Sequence, residues 1–163
     1  MRKQCVAMFQ IGSRRLVHLW FSPFMRNNAH TLMVAAELFV LALFFEISLL
    51  VITLPQLVHI VRRLSRSRTG SPYPLIGRHI NTDRLIEIAG AVAYRLRGRD
   101  ACLPRSLLLL WLLRSADNQP KLVLGVRHDS SEPFMAHAWI EDCERPIAEC
   151  SDILARYSVI ARY

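Results

Sequence analysis

Cys102, His137 and Glu149, all in the second half of the sequence, have the types and the chain order of a nucleophile, a base and the carboxylate that orients the base. Thiolate chemistry on a carbonyl needs a sulfur that ionises near neutral pH and a proton acceptor within hydrogen-bond reach. Cys102 opens the stretch Cys-Leu-Pro-Arg-Ser, which leads into LLLLWLL, apolar on all sides, as a helix buried at the centre of a small domain should be. Pro104 belongs in a first helical turn, so Cys102 lies at or within two residues of the helix N-terminus. The positive end of the macrodipole lowers a thiol pKa there, and an adjacent imidazolium would lower it further.

A hairpin must position the other two groups. Residues 121–127 (KLVLGVR), 134–141 (FMAHAWIE) and 145–149 (RPIAE) read as strands, with HDSSEP and DCE as the turns. A three-residue loop over 142–144 makes Glu141 face Arg145, Trp139 face Ile147 and His137 face Glu149, because antiparallel partners keep a constant index sum. Directly opposed residues have Cβ atoms about 4.5 to 5.5 Å apart, close enough for a carboxylate to fix the imidazole tautomer. Asp152 is the fallback for the carboxylate if the strand is bulged or slipped, and Asp142, in the turn, is a poorer candidate. Each residue also has a plain structural role open to it: a packing thiol, a hydrogen-bonded strand histidine, a carboxylate paired with Arg145.

The rest of the chain sets the context. At 163 residues and 18.7 kDa there is room for one core and too little for a two-domain enzyme. Hydrophobic residues at 52% and charged residues at 21% exclude a disordered chain. The net charge is +8, and 19 of the 21 basic residues are Arg, which suits carboxylate or phosphate contacts and so an acidic partner. Four widely spaced cysteines (Cys5, Cys102, Cys143, Cys150) make no disulfide framework, and MRKQCVAMFQIGSRR lacks the apolar run and cleavage site of a signal peptide. The expectation is a reducing, cytoplasmic setting.

Residues 31–54 are apolar apart from Glu37, Glu46 and a few hydroxyls, until Pro55 kinks or ends the helix. Such a run is long enough to cross a bilayer, but the two carboxylates stand nine residues apart, on opposite sides of a helix, so no one face shelters both. A buried or membrane-leaning helix fits better than a span. QLVHIVRRLSRSR continues as an amphipathic basic segment, suited to a solvated surface or to an anionic membrane face. Turn formers at 69–74 (TGSPYP) separate this hydrophobic helical region, 1–70, from a core domain over 71–163. Asn81-Thr82-Asp83 caps a helix with Leu85, Ile88, Ala89, Val92 and Leu96 on one face, which RGRD ends with a glycine. The fold class is α+β: helices first, then a small antiparallel sheet. A cysteine-headed buried helix followed by a histidine strand and an acidic strand is the core arrangement of papain-like and transglutaminase-like enzymes.

Three stretches carry a closer likeness: Cys102-Leu-Pro-Arg-Ser-Leu, Leu122-Val-Leu-Gly-Val-Arg127 and Ala136-His-Ala-Trp-Ile-Glu141. Together they resemble the transglutaminase-like leader peptidases of lasso-peptide biosynthesis, over residues 80 to 150 or so, and AELFVLALF with Leu54-Pro55 is similar in character to that family's helical preface. The resemblance implies cysteine-protease removal of the leader from a ribosomally made precursor, with Cys102 as nucleophile and His137 as base and acid. Family members place Asp twelve residues after the histidine, where this chain has Glu149. It also implies a separate leader-binding protein and an ATP-dependent macrolactam synthetase as partners, and no cofactor.

Two other readings compete. Cys143, Cys150, His137 and His128 lie close in sequence, but without the CxxC or HxxxH spacing of structural zinc. A non-catalytic membrane-associated adaptor would use the apolar helix and the arginines. Nucleic-acid binding lacks a reader motif, since the basic residues are scattered without interleaved aromatics.

Overall fold

The computed structural model describes residues 29–66, 80–114, 119–127, 135–150 and 152–163. The turn formers at 69–74, His128 and the first inter-strand turn lie outside these residues, as does Cys5.

Helix α1 runs Ala29–Leu49 and α2 runs Leu54–Arg66, so Pro55 sits in the first turn of a second helix, where its missing N–H costs nothing. The side chain of Gln56 accepts from the backbone N–H of Thr53 at 3.0 Å and from its hydroxyl at 2.9 Å, tying the turn to α2. In α1 the residues Val34, Ala35, Leu38, Ala42 and Phe45 form a buried stripe at helical spacing. Its other sides expose Leu32, Met33, Val40, Phe44 and Ile47, and Leu50 and Val51 protrude from the turn. By length and composition α1 is able to cross a membrane, although 28% of its most apolar window is buried within the protein. Glu46 is held from α3 by Arg97, whose Nε donates to Oε2 at 2.9 Å.

Helix α3 (Thr82–Arg97) begins as its sequence dictates, with Asn81 accepting from the N–H of Asp83 at 3.2 Å. It buries Leu85, Ile88, Ala89, Val92 and Ala93, while Gly98, at φ 62°, lets the chain turn away. A short 3₁₀ turn, Gly98–Asp100, leads into α4 (Cys102–Leu113), whose residues Leu107 to Leu110 are almost wholly buried. The four helices and one face of the sheet share a single core that includes Leu122, Ala138 and Ile140.

The sheet has four strands in the order β3-β2-β1-β4, with β1 at Lys121–Arg127, β2 at Met135–Asp142, β3 at Arg145–Ile147 and β4 at Ser158–Arg162. A four-residue helix, α5 (Ile153–Arg156), precedes β4. All neighbours are antiparallel. Residues of β2 alternate between two surroundings: Ala138 and Ile140 face the helices, whereas Trp139 packs with Val123, Ile153 and Tyr157 in a second, smaller cluster.

The hairpin departs from the expected register. Asp142 pairs with Arg145, Glu141 with Pro146 and Ile140 with Ile147, one residue off the predicted sum. The loop has two residues, Cys143 and Glu144, both at positive φ (48° and 64°), as a tight primed turn requires. The third strand also stops at Ile147 rather than Glu149, because Ala148, at φ 56°, turns the backbone out of the ladder. The strand β4, absent from the sequence reading, occupies the far edge.

Candidate active site

Cys102 is the first residue of α4 and half-buried. Ala101 at the N-cap supplies no side-chain acceptor, and the first intrahelical bond at this end runs from the N–H of Arg105 to the carbonyl of Ala101, at 3.0 Å. With proline at 104, the N–H groups of Cys102 and Leu103 are the helix-end donors beside the sulfur. One turn further on, the buried hydroxyl of Ser106 donates to the carbonyl of Ala138 at 3.0 Å. That bond fixes the N-terminal turns of α4 to β2 at the residue after His137.

His137 lies on the face of β2 that carries Trp139. Its ring is near-parallel to the indole, with centroids 6.1 Å apart, and stands 5.2 Å from the ring of Tyr157. Directly across the ladder is Gly125. A Cβ there would come within 2.7 Å of the Trp139 ring and 3.1 Å of the Tyr157 Cβ, so the aromatic packing beside the imidazole requires glycine. Trp139 in turn donates to Glu141 Oε1 at 3.1 Å, and Arg162 of β4 donates to Oε2 at 3.2 Å. Glu141 therefore meets Trp139 and Arg162 rather than Arg145, the partner expected from the other register.

Glu149 reaches His137 in spite of the shifted register. Its Oε2 lies 3.5 Å from the imidazole Nε2, within ion-pair reach and longer than a good hydrogen bond. In the observed register, residue 149 of a continuous strand would face the opposite side of the sheet. The left-handed Ala148 brings it back. Asp152 is exposed at the N-cap of α5, and Asp142 ends β2 beside the turn.

Arg105, which the sequence reading did not single out, completes the cluster. Its Nη2 meets Glu149 Oε1. Burial, then the charges of Arg105 and of Arg156 on α5, push the His137 imidazole down to about 4. At neutral pH the ring is thus uncharged rather than the imidazolium expected from the sequence. The signal was in the sequence: Arg105 follows Cys102 by three residues, one helical turn, and is the only charged side chain in α4. Glu149 links His137 to Arg105 on the helix that Cys102 heads, while His137 itself lies on the face of β2 turned away from the helices, and among the described residues the structure shows no hydrogen bond between sulfur and imidazole.

Among the described residues no group of three or more His, Cys, Asp or Glu side chains is placed to hold a metal ion. The arrangement offers a thiol at a helix start, a neutral base with one nitrogen toward a carboxylate, and backbone donors for an oxyanion.

No curated protein and no solved structure matches the chain. A family model described as the transglutaminase-like superfamily matches residues 41–162, from within α1 through β4. That span takes in well over half of the sequence together with the α4 helix and the whole sheet, and the chain belongs to the transglutaminase-like superfamily.

Proposed function

We propose that this protein is a cysteine peptidase that removes the leader from a ribosomally synthesised lasso-peptide precursor. The observation that carries the hydrolase reading is the contact of Glu149 with His137, 3.5 Å, on a carboxylate that also meets Arg105 of the helix that Cys102 heads. The choice of substrate rests on the sequence likeness of the Cys102, Leu122 and Ala136 stretches to leader peptidases.

The residues support the following course. Neutral His137, held through Nε2 by Glu149, uses Nδ1 to take the Cys102 proton as sulfur bonds to the scissile carbonyl. The N–H of Cys102 faces the oxygen that gains charge. The resulting imidazolium, stabilised by Glu149, gives its proton to the departing amine, and the core peptide leaves. Water, deprotonated by the same imidazole, then attacks the leader thioester and releases leader carboxylate and thiol. The freed amine suits an ATP-dependent macrolactam synthetase, and leader recognition falls to a separate binding protein, both in the cytoplasm or at the inner membrane face.

The test is incubation with a candidate precursor and its leader-binding partner. Two fragments with masses summing to precursor plus one water are expected, and none with Cys102→Ala. The exposed apolar sides of α1 favour a second reading, a membrane-associated adaptor without catalysis. Survival of the pathway in a strain that carries the Cys102→Ala, His137→Ala double variant would select it.

A further inference from the structure

Every exposed residue of α1 is apolar, and its polar residues His30, Thr31, Glu37, Glu46 and Ser48 are all half-buried or buried. A surface helix of a soluble domain shows the reverse pattern. At about 100° per residue the exposed positions, from Met33 through Val40 and Phe44 to Ile47, fill one continuous side, bordered by Glu37 and Ser48 on one flank and by Glu46 on the other. Beyond the helix, Leu50 and Val51 stand 84% and 82% exposed at the turn, and Ile52, Pro55 and Ile60 line a pocket at the start of α2. An apolar surface of this extent marks a place of contact.

The charge of the chain is distributed as unevenly as its apolar surface. Residues 1–82 contain ten Lys and Arg and two acidic residues, so they carry the whole +8, whereas residues 83–163 contain eleven of each sign. Of the two acids, Glu46 is engaged by Arg97 of α3 and Glu37 is half-buried. Helix α2 has no acidic residue and exposes His59 and Arg63. A second copy of the chain would bring more of the same charge to the contact, while a bilayer with anionic lipids offers hydrocarbon and negative headgroups together.

We propose that the exposed side of α1 and the turn at Leu50 and Val51 seat the protein on an anionic bilayer, with α1 in the plane of the interface and the positive charge of residues 1–82 supplying the attraction. The seat goes beyond the peptidase reading and does not depend on it. A crossing position for α1 conflicts with its other side, where Val34, Leu38, Ala42 and Phe45 pack in one core with α3 and α4. A span would draw those helices and the Arg97–Glu46 pair into hydrocarbon, where charged side chains are strongly disfavoured. Lying in the plane, the helix keeps its core contacts and gives only its exposed side to the acyl chains.

The test is flotation of the full-length protein with vesicles of phosphatidylcholine, alone or mixed in equal parts with phosphatidylglycerol. The protein should float with the mixed vesicles, bind pure phosphatidylcholine about tenfold more weakly or worse, and leave the mixed vesicles on extraction with alkaline carbonate. The Leu50→Ser, Val51→Ser double variant should lower binding about tenfold or more, and Arg63→Gln about fivefold. All three side chains are exposed, so these variants keep the fold, and Ile47→Ser checks α1 itself by the same loss of binding. Failure to float, equal binding to both kinds of vesicle, or full binding by the serine variants overturns the proposal. Retention after carbonate does so too, since it would make α1 a span. A protein that stays free of vesicles, is a dimer by light scattering and becomes monomeric in the Leu50→Ser, Val51→Ser variant would give the surface to a second copy instead. Because the readout is binding rather than cleavage, a protein that floats but leaves the precursor uncut removes the peptidase reading and keeps this surface.

Discussion

Ala148 stands at φ 56° and Glu149, the next residue, places its carboxylate 3.5 Å from His137. The first fact produces the second. A strand continuing past Ile147 would carry residue 149 to the helix-facing side of the sheet, and one left-handed residue reverses that. A β-branched side chain tolerates this backbone poorly. Ala148→Val should therefore cost about 1 to 2 kcal/mol and lower peptidase activity more than a comparable loss of stability elsewhere. Ala148→Gly should retain activity. Equal activity of the valine and glycine variants, after correction for the folded fraction, would show that this backbone turn does not position Glu149.

Burial and the two guanidinium charges hold the His137 imidazole at about 4, against 6.5 in an unfolded chain. Between these values the unfolded chain binds more protons than the folded one, so stability rises with pH and is lost as pH falls from 6.5 toward 4. The loss attributable to this group is on the order of 3 kcal/mol. Urea unfolding at pH 7 and pH 4.5 should show a steeper decline for the unsubstituted protein than for His137→Gln. Parallel pH dependences would mean that His137 is not held neutral.

Gly125 leaves the gap into which the Trp139 ring fits, with a Cβ position 2.7 Å from that ring. The neighbouring atoms are an aromatic ring, fully buried in the second cluster, and the Tyr157 Cβ, neither free to swing away. Gly125→Ala should cost about 1 to 3 kcal/mol as an overpacking substitution. It should also disturb His137, which lies opposite on β2. A thermal midpoint unchanged from that of the parent would place the Trp139 ring elsewhere.

The elements that the sequence announced are those with strong local signals. The Asn81 cap, the apolar period of α3 and Pro104 near the start of α4 are decided within a few residues, and the structure follows them. The hairpin register was not legible, because its turn uses Cys143 and Glu144 at positive φ in place of the asparagine or glycine that normally marks such a turn. Strand β4 was hidden for another reason: Ile160 is exposed and Val159 half-buried, so SVIAR shows no clean alternation of apolar and polar residues. The side-chain contact between His137 and Glu149 emerged from a wrong register only because Ala148 compensates for the slip. Arg105 was legible by spacing, one turn from Cys102, but its partner Glu149 comes from a segment 44 residues away, and only the fold brings them together.

Glu149 and Asp152 are the two carboxylates that could orient His137 by chain order, and the structure separates their surroundings. Glu149 is half-buried between Arg105 and His137, whereas Asp152 is exposed at the start of a four-residue helix without capping it. In the proposed mechanism, Glu149→Gln keeps the shape of the side chain but removes the charge that would stabilise imidazolium when His137 carries the thiol proton. Comparable substitutions in hydrolase triads lower kcat by about 10⁴-fold. A neutral amide still able to accept from Nε2 should make the loss here smaller, about 10²-fold or more. Asp152→Asn should leave kcat within a factor of about two, as befits an exposed side chain. Steady-state cleavage of one precursor by both variants decides the matter. If Asp152→Asn loses more activity than Glu149→Gln, the orienting carboxylate is Asp152, and the contact through Ala148 serves only to hold the end of the sheet.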